Sequence, residues 1–456
     1  MSGRGEAEPN QLRRLVRSAA VDLRPLRQVR EFRLLFIGQG TSFLGTMFTS
    51  VLLPYQVFEI TGSSLTVAML GIVQVVPALL TAMVGGALAD RVDRRRLIVV
   101  CELALAIVSA GLLANCLVRD HPALWPLYLA AACISAIEGI QQPSLDSLTP
   151  RLLPKDQLAA GAALNSIRMG IGFTLGPALA GFVITGFGVS GGYAIDLVSF
   201  VGSLTALALI STQPTTSDEE ALSVRAVVEG IRYAARRRDL LGTYVVDFSA
   251  MLFGTPTALF PQLSQSLGGP WALGLLYAAP SVGILIISST SGWVNGVRRR
   301  GRMVVIAAAL WGLAMASLSL AHSLWIALAV LFVAGIFDGI SMIFRSTIWN
   351  ESIPDKYRGR LAGLEGVSTA TGPALGNVEA SAVAVTAGLR TSIATGGLAC
   401  ALTAVVMAFV TPALWRYDAQ KYTAPESATE DGALEEAKVV AQRAADEPAP
   451  SSTSQD

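Results

Sequence analysis

The chain has 456 residues, of which 52% are hydrophobic and 15% are charged, and its formal net charge is +1. Soluble domains carry about 25% charged residues, so this composition excludes a soluble multidomain enzyme and a disordered chain. The small net charge gives no support for nucleic-acid binding, and the four cysteines lie in apolar runs rather than in a disulfide pattern.

Apolar runs long enough to cross a membrane recur along the chain. A helix needs about 20 apolar residues to cross a hydrocarbon core of about 30 Å. Twelve such runs predict an all-α membrane protein with twelve transmembrane helices in two pseudo-symmetric six-helix halves. The predicted spans are 33–57, 65–89, 97–118, 124–148, 157–185, 189–211, 240–262, 271–295, 303–321, 324–348, 361–385 and 391–411.

The basic residues predict the orientation of these spans. Thirty of the 34 Lys and Arg residues lie in the two termini and in every second loop. Arg119 and Arg390 lie in the other loops, and Arg168 and Arg345 lie within spans. Because short basic loops stay in the cytoplasm, we expect a multi-pass protein of a bacterial-type cytoplasmic membrane with both termini inside.

A polar segment separates the two halves. Within 212–239, the residues from 222 to 231 place apolar side chains on one face of a helix, which predicts an amphipathic helix on the cytoplasmic surface. The chain then divides into a basic N-terminal segment (1–30), a first half (31–211), a linker (212–239), a second half (240–411) and a cytoplasmic tail (412–456).

The halves carry a weak internal repeat. Residues 137–156 align with 337–356 at an offset of 200, which places Glu138 opposite Asp338. Repeated halves around a central site are typical of transporters that alternate access between the two sides of a membrane.

The loop after the second span reads GGALADRVDRRR over residues 85–96. Its small residues permit close helix packing, and Asp90 at the membrane edge can meet an arginine or a helix N-terminus. The loop resembles the signature of the major facilitator superfamily, with Asp93 in place of the usual glycine. The matching positions are Gly86, Asp90, Arg91, Arg94 and Arg95.

This resemblance implies a conformational gate. In that superfamily the loop acid forms a cytoplasmic charge network with a carboxylate of the fourth span, and Asp146 is the residue here at the matching depth. Asp90, Arg94 and Asp146 are then the expected gate. The alternative is that the arginines only enforce topology.

The fifth span carries GFTLGPALAG, which is similar to the glycine-proline motif of superfamily exporters. Glycine permits close packing and proline removes a backbone hydrogen bond, so the segment is a candidate site of helix bending. Plain helix packing is the alternative. The residues concerned are Gly172, Gly176, Pro177 and Gly181.

Over residues 25–415 the sequence resembles the enterobactin exporter branch of the superfamily. The likeness rests on Phe32-Arg33, the GGALADRVDRRR loop, VRAVVEGIRYAARRRDLLG, LLYAA at 275–279 and the turn from Pro354 to Arg360. This branch implies proton-driven export of catecholate siderophores or, in relatives, of hydrophobic drugs such as macrolides.

Ionisable residues inside the spans are candidates for coupling or substrate binding, because each costs at least about 2.5–3.5 kcal/mol to insert. Glu138 and Arg168 are predicted near the midplane, with Asp338 as the pseudo-symmetric counterpart of Glu138. Further candidates are Asp196, Asp247 and Glu365, whereas Glu102, Glu379 and Arg345 are placed nearer the span ends.

We hypothesise that Glu138 and Asp338 line the central cavity and that at least one of them exchanges protons during transport. Arg168 would compete with the proton for a carboxylate, which is the competition that coupling requires. Two alternatives are static ion pairs between helices and binding of an anionic substrate by Arg168.

No sequence feature points to an enzyme. No GxxxxGK[ST] motif occurs, and neither histidine has metal-ligand spacing, so we expect no cofactor or metal and a proton gradient as the energy source. The predicted function is proton-coupled secondary active export of a small hydrophobic or siderophore-like molecule by alternating access. The alternatives are multidrug or macrolide efflux, import, and a transport-inactive membrane sensor or assembly protein. The expected partners are a small-molecule substrate and the bilayer, with no nucleic acid and with function as a monomer.

Overall fold

The computed structural model describes residues 22–118, 122–210, 238–353 and 355–418. Within these ranges the secondary structure is helical, and eight helices are long and apolar enough to cross a membrane, one of which contains two successive spans. The predicted all-α membrane fold of twelve spans in two halves is confirmed. The predicted linker helix, most of the N-terminal segment and most of the tail lie outside the described residues.

The helices follow the predicted spans in chain order. Those of the first half are Arg30–Thr61, Ser64–Arg91, Arg94–Leu117, Trp125–Arg151 and Leu158–Ala208. Those of the second half are Arg238–Gly254, Pro270–Ser289, Arg300–Ser317, Leu324–Ser352, Asp355–Ala387 and Leu389–Val410. Shorter helices are Arg24–Gln28, Phe260–Leu267 and Pro412–Trp415, and 3-10 turns are Lys155–Gln157, Thr257–Leu259, Ser291–Gly296 and Leu318–Leu320.

The fifth and sixth spans are joined by one residue. The helix Leu158–Ala208 is interrupted only at Gly188, whose φ of 70° and ψ of −178° are not helical. Glycine reaches this positive φ without a steric cost, because it has no Cβ. The fifth span is therefore 158–187 and the sixth is 189–208.

Several span ends differ from the prediction, and the largest difference is at the seventh span. The seventh span was expected to continue to residue 262, but its helix ends at Gly254 and a separate short helix begins at Phe260. Pro256 disfavours a helical conformation at the preceding residue and cannot donate a backbone hydrogen bond. The eighth helix ends at Ser289 rather than 295, and the tenth continues to Ser352, beyond the predicted 348.

The two ends of the helix bundle differ in charge. The turns that contain Arg94–Arg96, Arg151 and Arg298–Arg302 lie at one end, which we call the basic face. The chain reverses at the other end, which we call the opposite face, near Gly62 and Gly388.

The halves pack together at the opposite face. One buried apolar cluster there contains residues of both halves, such as Val57 and Leu263. At the basic face, the clusters around Leu148 and around Val304 each belong to a single half. Among the described residues, the halves therefore share a core at the opposite face and have separate cores at the basic face, a state that we call open toward the basic face.

Polar and backbone contacts complete the closure. The Ser64 hydroxyl donates to Gln262 Oε1 at 2.9 Å, and the Ser381 hydroxyl donates to the Ser64 carbonyl at 3.1 Å. Gly181 of the fifth span and Gly274 of the eighth are so close that a Cβ on Gly274 would lie 2.7 Å from the Gly181 nitrogen. These contacts join the second, fifth, eighth and eleventh spans between the halves.

Candidate functional site

The fourth span presents a polar row within the first half. Glu138, Gln142 and Asp146 are exposed and follow one another at four-residue intervals, so they share one helix face. Gln141 and Ser144 on the adjoining face are buried. Because three polar side chains facing lipid would be costly, this exposed face lines the space between the halves.

Arg168 of the fifth span lies in a cleft with part of this row. The cleft is lined by Gln39, Gln142, Asp146 and Asn165 together with Arg168. Arg168 donates from Nη1 to the Gln39 carbonyl at 3.0 Å and from Nε and Nη2 to Asn165 Oδ1 at 3.0 and 2.8 Å. These bonds hold the guanidinium group in one orientation beside a carboxylate.

An aromatic wall adjoins the same cation. The guanidinium carbon of Arg168 lies 5.5 Å from the centre of the Phe43 ring, and Phe173 packs edge-on against Phe43 with ring centres 5.3 Å apart. A fixed cation next to aromatic rings can bind an anionic aromatic group through charge and stacking.

The carboxylate that interacts with Arg168 is Asp146. The structure records an electrostatic interaction between these two residues, and Gln142 Nε2 donates to Asp146 Oδ1 at 2.9 Å. Asp146 was instead predicted as part of the gate, and Glu138 was predicted as the carboxylate for which Arg168 competes with the proton. The structure thus brings Arg168 together with Gln142 and Asp146 of the polar row.

The predicted gating loop is described only in part. The side chains of Asp90 and Arg91, with position 86, lie outside the described residues, so the gate of Asp90, Arg94 and Asp146 stays a prediction. Arg94 is buried at the start of the third span. Arg95 donates from Nε and Nη2 to the carbonyls of residues 207 and 208 at 2.7 and 2.9 Å, and so caps the end of the sixth span.

In the second half, Asp247 of the seventh span forms a buried ion pair with Arg345 of the tenth. The pair borders a cavity of about 100 Å³ that is also lined by Asp338 and Ser341. Glu365 of the eleventh span is half-buried and interacts electrostatically with both members of the pair. Asp247, Asp338 and Glu365, predicted as separate candidates, therefore lie around one arginine.

Arg345 was not among the predicted site residues. It was expected near a span end because the apolar run was predicted to finish at residue 348. The helix continues to Ser352, so Arg345 lies about two turns inside it. The signal that identifies Arg345 is the one used for the other candidates, an ionisable residue inside an apolar run.

Glu102 was also missed as a central residue. Its side chain is fully buried, with 0% exposure. It accepts hydrogen bonds from Gln39 Nε2 at 2.9 Å, Gln141 Nε2 at 2.8 Å and the Ser42 hydroxyl at 3.0 Å. Two glutamines in otherwise apolar spans were the available signal for a buried acceptor.

Asp196 lies in the interior of the first half rather than in the cleft around Arg168. It is 1% exposed, and its Oδ2 accepts from the Thr49 hydroxyl at 2.7 Å and from the Ser109 hydroxyl at 2.6 Å. These bonds tie the sixth span to the first and third.

The glycine-proline motif supplies two packing surfaces of the fifth span. Gly172 and Gly176 lie against Phe43 and Met47 of the first span, whereas Gly181 lies against the eighth span in the other half. Pro177 lies within the continuous helix. The bending role of the motif stays a prediction.

The sequence matches a known family, and its relatives in sequence and in structure are transporters. The family described as Transmembrane secretion effector matches residues 20–442. The enterobactin exporter EntS of Salmonella typhi is 26% identical over 353 residues, which cover 76% of this chain and 83% of that protein. EntS of Escherichia coli O157:H7 is 24% identical over 409 residues, which cover 88% and 96%.

Two solved transporters share the fold. A POT family transporter in complex with 5-aminolevulinic acid has a TM-score of 0.67 at 12% identity and covers 84% of this chain and 96% of its own. The nucleoside transporter NupG has a TM-score of 0.67 at 15% identity and covers 85% and 100%.

Proposed function

The chain belongs to the transmembrane secretion effector family and is a transporter of the major facilitator type, and we propose that it is a proton-coupled secondary active exporter of a small hydrophobic or siderophore-like molecule. Its relatives at about 25% identity are named enterobactin exporters, which supports export as the direction. The fold supports alternating access, because the halves meet at one face and separate at the other.

The orientation follows from charge. Loops rich in Lys and Arg stay in the cytoplasm, so the basic face is the cytoplasmic face and both termini are cytoplasmic. The protein then spans a bacterial-type cytoplasmic membrane and functions as a monomer. In the state open toward the basic face, a substrate enters the cleft from the cytoplasm, which is the loading step of an exporter.

The observation that carries the substrate proposal is the position of Arg168 in that cleft. Its guanidinium group lies beside Phe43 and in the same cleft as Gln142 and Asp146. A cation, an aromatic ring and several hydrogen-bonding groups suit an aromatic molecule with acidic hydroxyls, such as a catecholate. Neutral hydrophobic drugs would use the aromatic wall without the cation.

Proton coupling is assigned to Glu138 and Asp338. Glu138 faces the space between the halves, so it can exchange protons with water in the open state. Asp338 shares a cavity with the Asp247–Arg345 pair. Protonation of Asp338 therefore removes a negative charge close to Arg345. The energy comes from the proton gradient, and no metal or organic cofactor is required.

Transport into inside-out membrane vesicles tests the proposal. Vesicles with an imposed proton gradient should accumulate a labelled catecholate siderophore, and vesicles without a gradient should not. Arg168→Ala should raise KM for the anionic siderophore about tenfold, since loss of one charged contact costs about 1.4 kcal/mol. KM for a neutral macrolide should stay unchanged.

Several outcomes would replace the proposal by an alternative. Accumulation of the macrolide alone would favour drug efflux, and accumulation of neither compound would favour a transport-inactive sensor or assembly protein. Uptake in right-side-out vesicles would favour import. Full proton-driven export by both Glu138→Gln and Asp338→Asn would refute the assigned coupling residues.

A further inference from the structure

The cavity of the second half has an unequal number of charges. Its lining contains two carboxylates, those of Asp247 and Asp338, and one guanidinium group, that of Arg345. Arg345 pairs with Asp247, so Asp338 is left as the second negative group of the lining. Glu365 lies outside the lining but interacts with the pair and adds further negative charge. A site of this kind within a membrane is stabilised by a bound cation.

The volume of the cavity exceeds what a proton requires. A proton binds to a carboxylate oxygen without occupying space, whereas one water needs about 10–15 Å³ of such volume. The cavity offers about 100 Å³. It can therefore hold a small ion together with water molecules.

A buried hydroxyl provides independent evidence for a ligand. Ser341 is 2% exposed and lines the cavity, and its Oγ has no hydrogen-bond partner among the described residues. A buried polar atom without a partner is costly, so it indicates something bound in the cavity. Ser341 follows Asp338 by one helical turn, which places both on the same face of the tenth span.

A second hydroxyl on the cavity wall, that of Thr255, can also bind a ligand in the cavity. Thr255 donates its proton to the Met251 carbonyl at 2.8 Å, which leaves the lone pairs of its oxygen available to a cation. The lining thus offers carboxylate and hydroxyl oxygens, which are ligands of hard cations.

The charge of the lining selects a monovalent ion. With Asp247 and Arg345 paired, one negative charge remains, and a monovalent cation neutralises it. A divalent cation would exceed the single net charge of the lining and would be balanced only with Glu365, which lies outside the lining. We infer that this cavity binds Na⁺, held by the Asp338 carboxylate, the hydroxyls of Ser341 and Thr255, and water.

The inference rests on the proposed function only in one respect, namely that Na⁺ would exchange with the proton assigned to Asp338. Binding itself requires neither substrate nor transport. It can therefore be measured on the purified full-length protein in nanodiscs at equilibrium.

The test is thermal stabilisation of the protein by NaCl, with choline chloride replacing NaCl at constant ionic strength. The wild type should show saturable stabilisation by Na⁺ and no stabilisation by choline. Asp338→Asn should lose the response, and Ser341→Ala should weaken the apparent Na⁺ affinity about tenfold, as expected for loss of one ligand to a charged group. Glu379→Gln removes a carboxylate of the eleventh span outside the cavity and should respond like the wild type.

The proposal fails if choline or K⁺ stabilises the protein as well as Na⁺ does. It also fails if Ser341→Ala keeps the wild-type affinity, and this variant decides the question if Asp338→Asn does not fold. Na⁺ binding without export in the vesicle assay would refute the proposed function and not the cation site. Export without Na⁺ binding would refute the site alone.

Discussion

Arg345 of the tenth span pairs its guanidinium group with the carboxylate of Asp247 on the seventh span, and both side chains are almost completely removed from solvent. Because Arg345 is the basic partner of Asp247 and also lies near Asp338 and Glu365, its loss leaves buried carboxylates without a compensating charge in the bundle. We expect Arg345→Ala to lower the free energy of unfolding by about 3–5 kcal/mol. Chemical unfolding in detergent measures this change.

A matched exposed pair provides the control. Arg96 is 77% exposed and lies 3.9 Å from Asp93. Arg96→Ala should cost no more than about 1 kcal/mol, because water screens this pair. The double variant Asp247→Asn with Arg345→Gln should recover part of the stability lost in Arg345→Ala. Equal losses of unfolding free energy in Arg96→Ala and Arg345→Ala would contradict the expectation that a buried ion pair contributes more to stability than an exposed one.

Asp93 begins the third span as its N-cap. Its side chain accepts a hydrogen bond from the backbone nitrogen of Arg96 at 3.1 Å. Asp93→Ala should therefore lower the free energy of unfolding by about 0.5–2 kcal/mol, whereas Asp93→Gly should cost only a few tenths of a kcal/mol. Glycine is usual at this position in the superfamily signature. A larger loss of unfolding free energy in Asp93→Gly than in Asp93→Ala would show that the Asp93 side chain has a role other than capping the helix.

The hydrogen bonds to Glu102 predict a difference between two substitutions. Glu102→Gln keeps an acceptor for the amide groups of Gln39 and Gln141, whereas Glu102→Ala leaves the buried Gln141 amide without this acceptor and Gln39 Nε2 with only the Ser203 hydroxyl at 3.3 Å. Each unpaired group costs about 1–3 kcal/mol, so Glu102→Ala should be the less stable variant by a few kcal/mol. The melting temperatures of the two purified variants test this order, and equal values would contradict it.

The contact between Ser64 and Ser381 predicts a conformational lock. The Ser381 hydroxyl lies 3.1 Å from the Ser64 carbonyl across the two halves. In a protein without its native cysteines, Ser64→Cys with Ser381→Cys should form a disulfide that holds the opposite face closed. Oxidation should then abolish transport and reduction should restore it, with each single variant as the control. Full transport by the oxidised double variant would show that this face need not open.

The spans could be predicted because the thickness of the bilayer fixes the length of an apolar run. Their ends could not, since turns and helices share the same apolar composition. The seventh helix ends at Gly254, before Pro256, although the apolar residues continue. Conversely, the tenth helix continues to Ser352 through polar residues that hydropathy places outside the membrane.

Candidate site residues could be predicted where a charge interrupts an apolar run, as at Asp247, Asp338 and Glu365. Their partners could not, because Arg345 meets Asp247 only through the packing of spans that are distant in sequence. The same limit applies to Glu102, whose amide donors come from the first and fourth spans.

The closed opposite face has a practical use. In this state Ser64 of one half donates a hydrogen bond to Gln262 of the other, so the surfaces of the two halves adjoin there. A nanobody that requires both halves would bind only while they are together, and its binding energy would shift the population toward that state. Such a reagent would report the conformation of the protein in isolated membranes, whereas a binder specific for one half would report only its amount.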